Sequence, residues 1–68
     1  MTMMKPGTNV ILVTVDAEYS PCTIVTFGAK NVVVDYVKRV SFEEGEIVKE
    51  IKRDIVPRAD VISITEMV

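Results

Sequence analysis

A chain of 68 residues with a formal net charge of −2 makes one domain and buries only ~60% of the surface that it exposes when unfolded, so its core is thin. Eight basic residues against ten acidic ones create no field that would draw it onto nucleic acid or an anionic membrane, and a sequence without histidine lacks the commonest general base and metal ligand. Yet 49% of the residues are hydrophobic, too many for a disordered chain and more than so small a core absorbs, so part of this surface is expected to lie against a second copy or another protein.

Residues 1–8 read as a lead-in, since Pro6 and Gly7 punctuate the chain before any periodic pattern begins. Neither a signal-peptide core nor a run of membrane-spanning length is present, and a single cysteine, Cys22, fits a reducing compartment. The expectation is a soluble cytoplasmic protein with one domain over 9–66. "NVILVTV", from Asn9 to Val15, is dominated by β-branched residues and mostly apolar on both faces, which predicts a buried strand. "DAEYSP" follows as a polar loop. "CTIVTFG" then predicts a second strand, with "GAKN" as a tight turn in which Gly28 or Asn31 takes positive φ.

From Val32 onward, "VVVDYVKRVSF" places Val32, Val34, Tyr36, Val40 and Phe42 at every second position, with only Lys38 out of pattern. This period of two predicts a strand whose one face carries those five residues and whose opposite face carries Val33 and Val37. Two templates fit the segment 41–54. As a helix, Ser41 is the N-cap, Glu44 completes a capping box, and Ile47, Val48, Ile51 and Ile55 share a face. As a hairpin, "EEG" is a three-residue loop with Gly45 in the left-handed region, and the register sets Phe42 opposite Glu46, Val40 opposite Val48, Lys38 opposite Glu50, Val37 opposite Ile51 and Asp35 opposite Arg53. The unbroken strand periodicity through Phe42 and the cost of Gly45 in a helix favour the hairpin.

On that basis Pro57, which fixes its own φ and keeps Val56 out of the helical region, ends a fourth strand and starts a one-turn 3-10 corner into a fifth, "VISITEM". The expected fold is all-β, a small five-stranded barrel. "DIVPRADVISI", with an apolar pair, a proline and a final apolar strand at Val56, Pro57, Val61 and Ile62, resembles the Src-homology-3-like and Tudor-like barrels. "TIVTFGAKNVVVDYV" is similar to the central hairpin of Tudor-like domains. The resemblance covers roughly 9–64. It implies a site built from aromatic side chains, for which Tyr19 and Tyr36, with Phe27, are the candidates, while the tryptophan of peptide-binding Src-homology-3 domains is absent.

No catalytic constellation is present, and the expectation is a non-enzymatic protein with no cofactor and no metal site. Asp16, Glu18 and Asp35 read as solvated acidic loop residues rather than as a cation site, and Cys22 as a small core residue rather than a reactive thiol. The candidate binding residues are Tyr19, Tyr36, Val33, Val37, Arg39 and Arg58. The leading expectation is a protein-interaction module whose partner is another protein or a second copy of itself. Its size and lack of catalytic motifs suit a small phage or mobile-element accessory protein acting on a host factor. The alternative is a nucleic-acid-binding barrel of the translation or transcription type, because six of the eight basic residues, Lys38, Arg39, Lys49, Lys52, Arg53 and Arg58, fall in the last half.

Overall fold

The computed structural model describes residues 4–67. They form five antiparallel strands in one sheet: β1 (Asn9–Thr14), β2 (Glu18–Phe27), β3 (Asn31–Glu43), β4 (Glu46–Pro57) and β5 (Val61–Glu66), with a 3-10 turn over Arg58–Asp60 between the last two. The spatial order is β4-β3-β2-β1-β5, so β4 and β5 are the two edges. The helix template for 41–54 is not adopted; the segment is the turn and outer half of the β3–β4 hairpin.

Pro57 and Val61 sit on opposite edges yet are only four residues apart in sequence. In a flat sheet those edges would be ~19 Å apart, four spacings of ~4.8 Å, whereas four residue steps of ~3.8 Å reach at most ~15 Å. The sheet therefore curls around the 3-10 turn. It remains open, because β4 and β5 are not hydrogen-bonded neighbours in the strand order. Two backbone bonds brace the corner, from the Arg58 N–H to the Lys30 carbonyl (2.8 Å) and from the Val15 N–H to the Asp60 carbonyl (3.0 Å).

The inner, concave side holds the core: Val10, Leu12, Cys22, Ile24, Val32, Val34 and Val56 are buried, and Tyr19, Phe27, Tyr36, Val61 and Ile64 pack around them half-buried. Cys22 is in the core as expected. Thr14, the one buried polar residue among those described, is satisfied locally: its hydroxyl donates to the Ala17 carbonyl and accepts from the Ala17 N–H, both at 3.0 Å, which shapes the β1–β2 turn.

Three local expectations differ from the structure. β2 begins at Glu18, taking in most of the stretch read as a loop. Pro21 is tolerated there because β3 pairs with β2 only from Thr23 on, so the missing N–H falls where one side of the strand has no ladder to join. Gly28 does not take positive φ, and neither does Asn31. What demands glycine is space, since a Cβ at Gly28 would lie 3.0 Å from the Asn31 carbonyl oxygen. The loop after β3 is two residues, Glu44 (φ 51°) and Gly45 (φ 79°). Left-handed conformation at both centres is the twist that closes a two-residue hairpin.

The register of that hairpin holds only at its inner end. Asp35 faces Arg53 and Val37 faces Ile51, but a bulge at Lys38 then shifts the ladder by one: Arg39 faces Glu50, Val40 faces Lys49, Ser41 faces Val48 and Phe42 faces Ile47. The three expected pairs Lys38–Glu50, Val40–Val48 and Phe42–Glu46 do not form. Strict opposition would also have set Arg39 against Lys49; the bulge replaces that repulsion with the Arg39–Glu50 pair.

Candidate functional site

The bulge decides which side chains share a face. Residues directly opposite in an antiparallel pair point the same way, and a slip of one residue turns every later side chain over. Before Lys38, Val32, Val34 and Tyr36 point inward while Val33, Asp35 and Val37 point outward, with Ile55, Arg53 and Ile51 beside them on β4. After Lys38 the alternation has changed phase, so Val40 and Phe42 join the outer set together with Lys49 and Ile47. The expectation that Val40 and Phe42 share a face with Val32, Val34 and Tyr36 is thereby corrected. The inner set beyond the core is polar apart from Val48: Arg39, Ser41 and Glu43 against Lys52, Glu50 and Glu46.

Beyond Asp35, β3 is hydrogen-bonded to β4 alone, so the outer half of the hairpin is a two-stranded arm projecting past the core. The molecule is correspondingly long, 45 × 24 × 17 Å. The outer face of this arm is apolar apart from Lys49 and lies in water: Phe42 is 74% exposed, Ile47 60%, and Val40 and Ile51 56% each, and Ile55, 69% exposed, continues the face past Asp35 and Arg53 at the root. A two-stranded ribbon gains little from its own pairing in water, and this exposed, largely apolar strip, interrupted by Lys49, is more apolar surface than a small monomer ordinarily leaves to solvent. At its root lies an open hollow of ≈570 Å³ lined by Pro21, Thr23, Asp35, Val37, Ile51 and Met67.

Of the candidate binding residues, Val33 and Val37 lie on this outer strip, Val33 half-buried and Val37 exposed. Tyr19 and Tyr36 come together on the inner side, with ring centroids 5.1 Å apart at 63°. Both hydroxyls donate to Oδ2 of Asp54, at 3.0 and 3.3 Å, so one carboxylate ties β2, β3 and β4 together at the mouth of the curl. Burial, followed by the hydrogen bond and charge of Asp54, pushes the Tyr19 phenol from 10.0 up to about 12, and burial with the Asp54 charge also raises Tyr36. The rings therefore spend their polar ends on an internal staple. Phe27 does not complete a cage with them. It faces Val32, four residues along β3 from Tyr36 or ~13 Å, and carries the Arg58 guanidinium 4.7 Å from its ring centroid.

Arg58 also donates from Nη1 to the Gly28 carbonyl at 3.3 Å, so this residue fastens the 3-10 corner to the β2–β3 turn. Arg39 forms an open ion pair with Glu50 at 3.7 Å, a contact worth little in water. Arg53 grips Asp35 bidentately, Nε to Oδ1 at 2.8 Å and Nη2 to Oδ2 at 3.1 Å, which holds the Asp35 carboxyl below the usual carboxylate range. Burial pushes the Cys22 thiol up, away from the thiolate that chemistry would need. Asp16, Glu18 and Asp35 are not gathered together: among the described residues no group of three or more potential ligands occurs. Nor is any helix among them long and apolar enough to cross a membrane.

Phe42, Ile47 and Ile51, the principal residues of the outer strip, are not among the residues that the sequence singles out for binding. Their signal is Lys38, the only break in the eleven-residue alternation, which marks the position where the phase changes. Comparison with known proteins finds no matching family model, no matching curated protein and no matching solved structure.

Proposed function

We propose that this protein is a non-enzymatic protein-interaction module that binds through the outer face of the β3–β4 arm. The observation that carries this reading is the bulge at Lys38, which gathers Val37, Val40, Phe42, Ile47 and Ile51 onto one solvent-facing side while the core stays behind on the other. An apolar ribbon face is the kind of surface that packs against a second sheet or a helix, with exclusion of water as the driving term. We read the curled sheet as a small barrel of the Src-homology-3-like, Tudor-like type. Supporting that reading are the consecutive pairing of β1 to β4, the 3-10 corner after Pro57 and the return of β5 beside β1.

The nucleic-acid alternative has less support. Arg53 is held by Asp35, Arg39 faces Glu50, and Arg58 lies over Phe27. Lys49 and Lys52 point to opposite faces of β4, so the basic groups do not form one phosphate-tracking surface. The direct test is in-cell crosslinking from a photoreactive side chain placed at Ile47, with one at Thr65 on β5 as the control. Protein adducts from Ile47 and none from Thr65 are expected. Nucleic-acid adducts, or no adduct from Ile47, overturn the reading.

A further inference from the structure

Along the outer face the hairpin reads as a series of cross-strand rows. Starting at the tip they are Phe42 with Ile47, Val40 with Lys49, Val37 with Ile51, Asp35 with Arg53, and Val33 with Ile55. The first, third and fifth rows are wholly apolar; the second and fourth carry charge. The pattern is therefore the same from either end, with Val37 and Ile51 at its centre. The apolar rows of such a face coincide with one another under a two-fold rotation about an axis lying in the interface and crossing the arm at the central row.

From this palindrome we infer that the occupant of the arm face is a second copy of the chain, an inference that rests on the arm being the binding surface. In the resulting dimer the two arms lie antiparallel, face to face. The tip row of each copy lies over Val33 and Ile55 of the other, and the central rows meet each other. The Val40–Lys49 row falls beside the Asp35–Arg53 row of the other copy. This rotation sets β3 over β3 and β4 over β4, so Val40 lies over Asp35 of the other copy and Lys49 over its Arg53. Apolar rows thus meet apolar rows, while the charged rows meet at a small cost on the solvated rim formed by β4.

The area is sufficient but not generous. The six apolar outer-face side chains Val37, Val40, Phe42, Ile47, Ile51 and Ile55 are 45–74% exposed, about 600 Å² per copy, so their complete coverage buries about 1,200 Å² in all, the lower bound of a specific stable interface. A weak dimer, populated at tens of micromolar, is the expectation for an interface at that bound. Because β4 is an edge strand, the Lys49 stem can also reach past the rim and keep its charge hydrated.

Sedimentation of the full-length chain tests the inference together with thiol crosslinking. The native chain is expected to sediment as a dimer at tens of micromolar and to dissociate on dilution. Ile51→Glu, which places two carboxylates against each other at the axis, weakens the dimer by well over tenfold. Its circular dichroism stays unchanged, because position 51 is 56% exposed. A short bismaleimide, spanning the ~10 Å between packed sheets, joins Ile51→Cys to itself efficiently and Phe42→Cys poorly, since only the former lies on the axis. Buried Cys22 does not compete. A native chain that stays monomeric at high concentration, or one that crosslinks through Phe42→Cys rather than Ile51→Cys, overturns the inference. If such a monomer still gives protein adducts from Ile47 in cells, the interaction-module reading stands and only its partner changes; if it gives none, both fall.

Discussion

Val37 stands directly opposite Ile51, whereas two positions further along β3 it is Arg39 that faces Glu50, because Lys38 has no partner across the hairpin. That one unpaired residue separates a hairpin with apolar side chains on both faces from an amphipathic arm. It also places the ion pair Arg39–Glu50 where a regular ladder would have opposed two cations.

The hairpin tip is the most easily tested part of the arm. Gly45 has φ of 79° and Glu44 of 51°, both left-handed, and a non-glycine residue there costs about 1 kcal/mol. Gly45→Ala should speed amide exchange at Ser41 and Val48, a hydrogen-bonded pair by alternation from the closing Glu43–Glu46 pair, roughly fivefold, with little change around Leu12. Glu44→Asn, the residue that a type I′ turn prefers at this position, should slow the same amides.

The core responds differently. Leu12 is fully buried at the centre of the cluster, and its truncation to alanine costs ~3 kcal/mol. A domain of this size has ~3–10 kcal/mol of stability in total, so Leu12→Ala should remove between about a third and all of it, read as the lowered midpoint of a urea titration at room temperature. Ile62→Ala, at a position 65% exposed, should shift the midpoint by less than ~0.5 kcal/mol.

Much of the fold could be read from residue pattern. The β-branched runs and the proline at the last corner point to strands and a turn, Gly45 tips the segment 41–54 from helix to hairpin, and all of these appear in the structure. What could not be read is phase. Lys38 broke the alternation, but a single polar residue in a strand fits either an exposed position or a bulge, and only the cross-strand partners on β4 decide between them. The start of β2 was hidden for a related reason: "DAEYSP" has loop composition, yet Tyr19 is drawn into the strand by its contacts with Tyr36 and Asp54, which lie on two other strands. Those long-range contacts leave no local trace.

Tyr19 provides a pH test. Its phenol is raised from 10.0 to about 12 in the folded protein, so the neutral form is favoured by folding. The associated stability is fully present below pH 10 and is lost as pH rises toward 12. Phenolate absorbance should show one tyrosine titrating near pH 12, and thermal stability should fall over the same interval. Asp54→Asn removes the charge but leaves an acceptor, and should lower the Tyr19 midpoint and flatten the alkaline decline.

Lys49 tests the alignment of the two copies. Over Arg53 of the second chain its charge opposes association by ~0.5–1 kcal/mol, a twofold to fivefold effect on dissociation. Lys49→Glu should tighten the dimer by at least that factor. Added salt should tighten the native dimer and loosen the Lys49→Glu dimer, because screening acts on repulsion in one and on attraction in the other.

All of these consequences for the arm depend on the change of phase at Lys38, and cross-strand nuclear Overhauser contacts measure it directly. With the bulge in place, Phe42 should show contacts to Ile47, and Val40 to Lys49 on the same face as Val37 and Ile51. A regular ladder would instead give Val40 contacts to Val48 and Phe42 contacts to Glu46. It would return both apolar residues to the face of Tyr36, and the outer strip proposed as the interface would not exist.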